Sequence, residues 1–311
     1  MTLWLQRQEA IERRSAYLYW IFHWHDKLEL EDADDEGRDE TSDGEDEDIN
    51  QEEFTVLKEL LDSNVSRAFQ VTKHPTFLHV SIPTLQSRYG ATHFLAALKI
   101  FLDQHIPNHT IPHEYDHFDL YSRISLLLPS RSHVANNKRL THLHATAAKP
   151  RQGTRKPVPA RFDTALIIED ADTFHTEGGF AGELLSPMIA ILVLTQIGIV
   201  GLRPARIRVI FQLPAHLGHF PHPLLYVEWF RPLRTPDPMT GFYLTSHSTR
   251  NRSRACAIVS ADQVLRGCHL IPRFGPDTVN PSWRSEHVLD EDIDFFHNHY
   301  IDFYMFEYVM K

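Results

Sequence analysis

The stretch ARIRVIFQL, Ala205 to Leu213, decides the fold. Successive side chains of an extended chain point to opposite faces. Ile207, Val209 and Phe211 therefore share one face, and Arg206, Arg208 and Gln212 the other. LLYVEWF, Leu224 to Phe230, repeats the pattern, with Leu225, Val227 and Trp229 opposed to Tyr226, Glu228 and Phe230. Strict alternation marks strands with one buried and one wet face. Around these two, FDTALIIE (Phe162 to Glu169), Phe242 to Ser246, Arg254 to Val259 and Gly267 to Pro272 read as further strands, with the turn TPDPMTG (Thr235 to Gly241) between them. Strands this short, with Gly or Pro in nearly every connection, favour a small barrel over a parallel sheet. Ser260 to Leu265 (SADQVL) is too short for a packed helix and too polar for a strand. It fits one helical turn that carries the chain into the last strand.

Upstream of the barrel the period becomes helical. Residues 2–28 form the first helical stretch, with Leu3, Ile11, Leu18, Ile21 and Phe22 near helical spacing and Trp4, Trp20 and Trp24 beside them. EFTVLKELLDS, residues 53–63, reads as a short helix. A further short helix at Leu85 to Tyr89 meets Gly90, and a stronger one runs from Thr92 to Gln104 with Phe94, Leu95, Leu98, Ile100, Phe101 and Leu102 as its apolar face. Helix, glycine turn, helix is the outline of a helix-turn-helix. A DNA-reading second helix needs several polar or basic residues on its exposed face, and this one has only His93 and Lys99. Tyr121 to Leu128 reads as a strand. Residues 136–161, with Lys138, Arg139, Lys149, Arg151, Arg155, Lys156 and Arg161, read as a flexible basic linker. The aromatic tail, Asp290 to Val309, is expected to be short and helical, with Phe295, Phe296, Tyr300, Phe303, Tyr304 and Phe306 as core or dimer contacts. The expected organisation is therefore α+β. An N-terminal helix (1–30), an acidic linker (31–53), a small helical region with a strand (54–135) and the basic linker (136–161) precede the barrel and its tail (162–311).

The 311 residues carry a net charge of −10, and 42% are hydrophobic, enough for one sizeable core or two small domains. The charge is unevenly placed. Glu29 to Glu53 holds fifteen acids and one arginine, and removing this −14 from −10 leaves the rest of the chain at +4. The acidic run has almost no apolar surface to bury and reads as a disordered, solvated linker. Two cysteines, Cys256 and Cys268, are too few for a disulfide framework or a four-cysteine zinc site. Met1 to Leu30 lacks the unbroken apolar core of a signal peptide.

The sequence offers little to an enzyme. G-x-S-x-G, P-loop and C-x-x-C motifs are absent, and the one H-E-x-x-H spacing, His113-Glu114-Tyr115-Asp116-His117, follows directly on Pro112. A two-metal nuclease needs two aspartates and a glutamate brought together. Asp163, Asp237 and Glu291 are the candidates, but Asp237 lies in a proline-rich turn. His109, His113 and His117 have the four-residue spacing of one helical face, yet Pro112 interrupts that helix. No catalytic residue, metal, cofactor or small-molecule substrate is therefore expected.

RIRVIF, LLYVEWFRPL, FYLTSHS and ACAIVSADQVLRGCHLIPRFG resemble the strand series of a BAH domain, an SH3-like barrel. In that family a strand ending in Trp-Phe or Trp-Tyr is followed by Arg-Pro, and here Trp229, Phe230, Arg231 and Pro232 occupy those places. The helical turn before the last strand is also where such barrels often place one. Nearly the whole chain is similar to the C-terminal region of basidiomycete Plavaka-type (CACTA-like) transposon proteins. MTLWLQRQEAI, YGATHFLAALKIFL, ARFDTALIIED, PDPMTGFYL, HLIPRFGP and WRSEHVLDEDIDFFHNHYID carry that likeness, in that order. The resemblance places transposase chemistry in an upstream DDE domain and implies a nuclear protein. Residues 183–200, ELLSPMIAILVLTQIGIV, depart from the family pattern. Pro187, Thr195, Gln196 and Gly198 dilute this apolar segment below what a membrane span needs, and it reads as a retained intron.

Two functional readings follow. One is a non-catalytic accessory module that binds chromatin, DNA or protein, including a transposase domain. The other is a purely structural part of a transposase, without a ligand of its own. For the first, Arg250, Arg252 and Arg254 alternate along one loop and point one way, and Arg206 and Arg208 extend the patch from a neighbouring wet face. Such a patch suits weak, sequence-independent contact with phosphates.

Overall fold

A computed structural model describes residues 68–128, 139–150, 157–170, 201–234, 236–237, 240–274, 283–284, 286–291, 293–301 and 305. The expected helices at 2–28 and 53–63, the acidic run and the 183–200 segment lie outside the described residues.

At the centre is the strand anticipated from alternation, lengthened at its start: β8, Leu202–Phe211. Along one edge it pairs antiparallel with β9, Leu224–Trp229. Its other edge is shared. Leu202 to Arg206 pair with β7 (Thr164–Ile168), while Ile210 and Phe211 pair with β3 (His117–Tyr121), which in turn pairs with β2 (Phe77–Ser81). Outermost are β13 (Cys256–Ser260) on β9 and β14 (Val264–Cys268) on β7. The antiparallel path is thus β14–β7–β8–β9–β13, and its two end strands are joined by one 3-10 turn, Ala261–Gln263. In a flat sheet, four strand spacings separate such ends by about 19 Å. The four residue steps from Ser260 to Val264 reach at most about 14 Å. The sheet therefore has to curl until its edges approach. The turn is fixed by a capping box: the Ser260 N–H donates to the Gln263 carboxamide oxygen at 3.0 Å.

Two helices cover the outside of β8 and β9. Pro83 sits in the first turn of α1, Ile82–Tyr89, where a missing N–H is harmless. Gly90 ends the helix at a φ of 74°, and the Ala91 N–H closes on the Leu85 carbonyl at 3.1 Å. The following helix, α2 (Phe94–His105), buries Phe94, Ala97, Leu98, Phe101 and Leu102. Ile100, expected on that face, is 54% exposed, since it points away from the stripe that meets the sheet. Phe94 packs its ring against Phe118, Phe211 and Tyr226, at centroid distances of 5.0, 5.2 and 5.8 Å. The second helix of the supposed helix-turn-helix is therefore a core element laid on the sheet.

This second layer corrects the expected wet face of the barrel strands. Arg206, Arg208, Tyr226 and Glu228 are all buried, as are Ile207, Val227 and Trp229 on the opposite side, and a bulge between Ile207 and Val209 turns Val209 and Phe211 from the face of Ile207, expected for them, to that of Tyr226. Nor does the 54–135 region stand apart from the strands of 162–311. Residues of α1, α2, β3, β7, β8, β9 and β13 belong to one hydrophobic cluster.

The 136–161 stretch is not simply a linker. It contains β5 (Arg139–Thr146), which lies between β4 (Arg123–Leu128) and β6 (Arg161–Phe162), with β1 (Ala68–Val71) beyond β4. Leu143, Ala145 and Ala147 are buried, and this apolar alternation was outweighed in the sequence by its basic neighbours. The strand expected at Tyr121 to Leu128 is two strands that meet at Ser122 and join different sheets. Met305 is helical, as expected of the tail, but the described stretch before it departs from that expectation. Phe295–His297 form β16, which sits between β10 (Tyr243–Thr245) and β15 (Leu270–Pro272) and buries Phe295 against Phe230 and Leu270.

Candidate binding groove and the buried arginine cluster

The loop expected to present three arginines is a tight hairpin, β11 (Thr249–Arg250) and β12 (Ser253–Arg254). Its two turn residues, Asn251 and Arg252, both have positive φ, 53° and 63°, which matches the twist of two-residue hairpins. Tight closure separates the three side chains. Arg250 and Arg252 are exposed, whereas Arg254 turns inward.

Arg254 joins a cluster with Arg206, Arg208, Glu228 and Asp290. One carboxylate oxygen, Asp290 Oδ1, accepts from Arg206 Nη1 at 2.7 Å, from Arg254 Nη1 at 3.2 Å and from Arg208 Nη2. Glu228 Oε2 accepts from Arg208 Nε at 2.9 Å and lies 3.6 Å from Arg254 Nη1. Arg206 also donates to the Glu286 carbonyl at 3.2 Å, and Arg254 Nη2 to the Asp290 carbonyl. The Phe162 ring lies beneath both strand arginines, 5.6 Å from the Arg206 guanidinium and 5.0 Å from that of Arg208. Burial pushes the Asp290 carboxyl up, but Arg208 and Arg206 outweigh it and hold the group below its ordinary value. Burial likewise disfavours the Arg208 charge, and Glu228 and Asp290 more than compensate.

These contacts draw three of the five expected arginines into the molecule. Arg206 and Arg208 lie under the second layer and spend their donors on Glu228 and Asp290, and Arg254 does the same from the hairpin. Of the five expected site residues, only Arg250 and Arg252 stay exposed. Sequence reasoning missed Glu228 and Asp290. One signal was available: β8 and β9 are in register at Arg206 and Glu228, so facing strands carry opposite charges on the same side.

The hairpin forms one wall of an open groove of about 720 Å³. Ala96, Ala97, Ile100 and Gln104 of α2 form the facing wall, and Ala255 to Ile258 run along it. Trp229, at the end of β9, lies in the groove with the Arg203 guanidinium 5.0 Å from its ring. Arg203 is held by Glu169 at 2.5 Å, by Ser248 at 2.8 Å and by the Phe230 carbonyl at 2.6 Å. Three arginines and His93 line the groove, and no carboxylate does so among the described residues. No protein-family model, curated protein or solved structure matches this chain.

Two of the three candidate nuclease carboxylates, Asp163 and Asp237, make local hydrogen bonds. Asp163 accepts from the His144 N–H at 2.8 Å, its ring at 3.0 Å and Arg161 at 3.3 Å. Asp237 accepts from the Thr240 hydroxyl at 2.7 Å within its turn. Glu291 follows the short 3-10 turn Val288–Asp290. The three histidines once placed on a helical face are spread along a non-helical segment. His109 contacts Asp103 at 3.3 Å, and His117 begins β3. Among the described residues, no group of three His, Cys, Asp or Glu side chains is arranged to hold a metal ion. Cys256 lies half-buried in the groove, and burial pushes the Cys268 thiol up to about 12.

Proposed function

We propose that this chain is a non-catalytic binding module within a fungal DNA-transposon protein, acting in the nucleus and meeting its partner through protein contacts. We read the curled sheet as an SH3-like barrel of the BAH type. The path β14–β7–β8–β9–β13, with one helical turn between its last two members, supports that reading. Arg231 and Pro232 following Trp229 and Phe230 support it from the sequence side.

The observation that carries the choice of protein over DNA is the fate of the arginines. Arg206, Arg208 and Arg254 share the carboxylates of Asp290 and Glu228 within the molecule, which leaves the cluster only +1, while an open groove with apolar and cationic walls lies beside them. Nucleic-acid affinity grows with the number of phosphates neutralised by free cations, and two exposed hairpin arginines supply few.

The test is capture by immobilised full chain of three baits: duplex DNA, reconstituted nucleosomes and a DDE transposase domain of the resembling family. Capture of a protein bait that falls when Ile100 is replaced by Glu supports the reading. Ile100 is half-exposed and belongs to the groove, so this change leaves the core intact. Equal capture of naked DNA and nucleosomes, unaffected by Ile100→Glu, overturns it.

A further inference from the structure

We infer that the groove takes an extended, carboxylate-bearing peptide, which adds as a strand to the free edge of β13. This deepens the protein-binding reading above and rests on it.

Among the described residues β13 pairs with β9 alone and forms the end of the strand order in its sheet. The Trp229 N–H donates to the Ala255 carbonyl at 2.8 Å. In an antiparallel ladder, alternate residue pairs exchange hydrogen bonds. With the observed register, the pairs at Ala257 and Val259 continue that exchange, so the N–H and C=O groups of Cys256 and Ile258 point to the outer edge. Ala255, Cys256, Ala257 and Ile258 all line the groove. Successive side chains of a strand point to opposite faces, so four consecutive residues line one groove only when the backbone edge itself borders it. A bordering row of outward-pointing backbone donors and acceptors, unpaired among the described residues, is a template for another strand.

Charge selects the occupant. The described lining has Arg203, Arg250 and Arg254 and no acid. Arg203 and Arg254 already hold Glu169, Asp290 and Glu228, which leaves Arg250. This residue is exposed on the hairpin, and its side chain makes no hydrogen bond or ion pair among the described residues. Across the groove Ile100 offers exposed apolar surface. An added strand sends alternate side chains to its two faces, and the two walls differ in character. The matching ligand alternates apolar residues, for α2, with carboxylates, for Arg250.

The experiment is fluorescence anisotropy of the full chain with a fluorescein-labelled peptide of alternating Val and Glu, about six residues long, the usual strand length. Controls are the Val/Lys peptide, a Val/Glu peptide N-methylated at alternate residues, and a single-stranded oligonucleotide. The Val/Glu peptide is expected to bind saturably, and the Val/Lys and N-methylated peptides to fail. Arg250→Glu should weaken binding by about tenfold or more, equivalent to about 1.4 kcal/mol or more, since it replaces an attraction to the ligand's carboxylates with a like-charge repulsion. Circular dichroism checks that the variant is folded. Binding that is indifferent to Arg250→Glu or to N-methylation overturns the inference, as does preference for the oligonucleotide. If no peptide binds but Ile100→Glu still reduces capture of a protein bait, strand addition is wrong and the protein-binding reading survives. If neither assay responds to the groove, both fall.

Discussion

Glu228 carries much of the buried charge balance. Its side chain is 7% exposed, and it meets Arg208 at 2.9 Å and Arg254 at 3.6 Å. Removing one partner of a buried ion pair leaves the other uncompensated, at a cost of about 3–5 kcal/mol. Glu228→Gln should destabilise by that order in urea unfolding. Asp290 is 36% exposed, so solvent screens it, and Asp290→Asn should cost only about 1–2 kcal/mol. Equal effects, or a larger one at Asp290, would show that the cluster is wetter on the Glu228 side than the contacts indicate. Trp229 is 9% exposed at the junction of core and groove. Trp229→Ala should cost about 3–5 kcal/mol, the usual range for a buried aromatic. A loss under about 1 kcal/mol would mean that the ring does not anchor the barrel.

At the scale of elements, the α1–α2 turn depends on Gly90. Its φ of 74° suits glycine, and a Cβ there meets the Arg208 guanidinium carbon at an ordinary 3.6 Å. Gly90→Ala should therefore cost about 1 kcal/mol, from backbone strain and not from a clash. A loss of 3 kcal/mol or more in denaturant melts would point to displaced Arg208 instead. Much of the element pattern was legible in sequence, because it depends on neighbours along the chain. Alternation located β8 and β9, the proline-rich turn located the approach to β10, and SADQVL located the turn before β14. What alternation does not reveal is a second layer. A strand whose outer face is polar because it carries paired charges looks the same as one that faces water, and Arg206 and Arg208 were misread for that reason. Their partner Asp290 lies more than eighty residues away, and no local pattern connects them. The hairpin posed a related difficulty: Asn251 and Arg252 at its tip close it, and that closure sends Arg254 inward while Arg250 stays out. The groove itself was not legible, since it needs α2 and β13 brought side by side.

For the whole molecule, buried histidines set the response to acid. Burial, with the charges of His299, Arg266 and His269, pushes His297 down from 6.5 to about 3. Burial pushes His299 down to about 4. A histidine with a depressed folded pKa favours the native state only while neutral, so stability is full above the unfolded value and falls as the pH drops below it. Loss should begin near pH 6.5 and continue towards pH 3–4. Asp290 acts at lower pH: its depressed carboxyl adds stability that is present above its unfolded value of 3.8 and is lost as the pH falls through the folded one. Urea midpoints between pH 7 and 4 should fall steadily, and His297→Leu should remove about one proton from the slope, roughly 1.4 kcal/mol per pH unit. An unchanged slope in the variant would show that His297 is already protonated or is hydrated in the fold. The functional reading turns on where three guanidiniums spend their hydrogen bonds. Nuclear magnetic resonance of arginine Nε–H groups measures this most directly, with signals assigned by single Arg→Lys changes and recorded with and without duplex DNA at low salt. The Nε–H signal of Arg208, bonded to Glu228, should exchange slowly with water, and the signals of Arg206, Arg208 and Arg254 should stay in place when DNA is added. Fast exchange, with shifts at Arg206, Arg208 and Arg254 on adding DNA, would contradict a molecule that keeps these charges for itself.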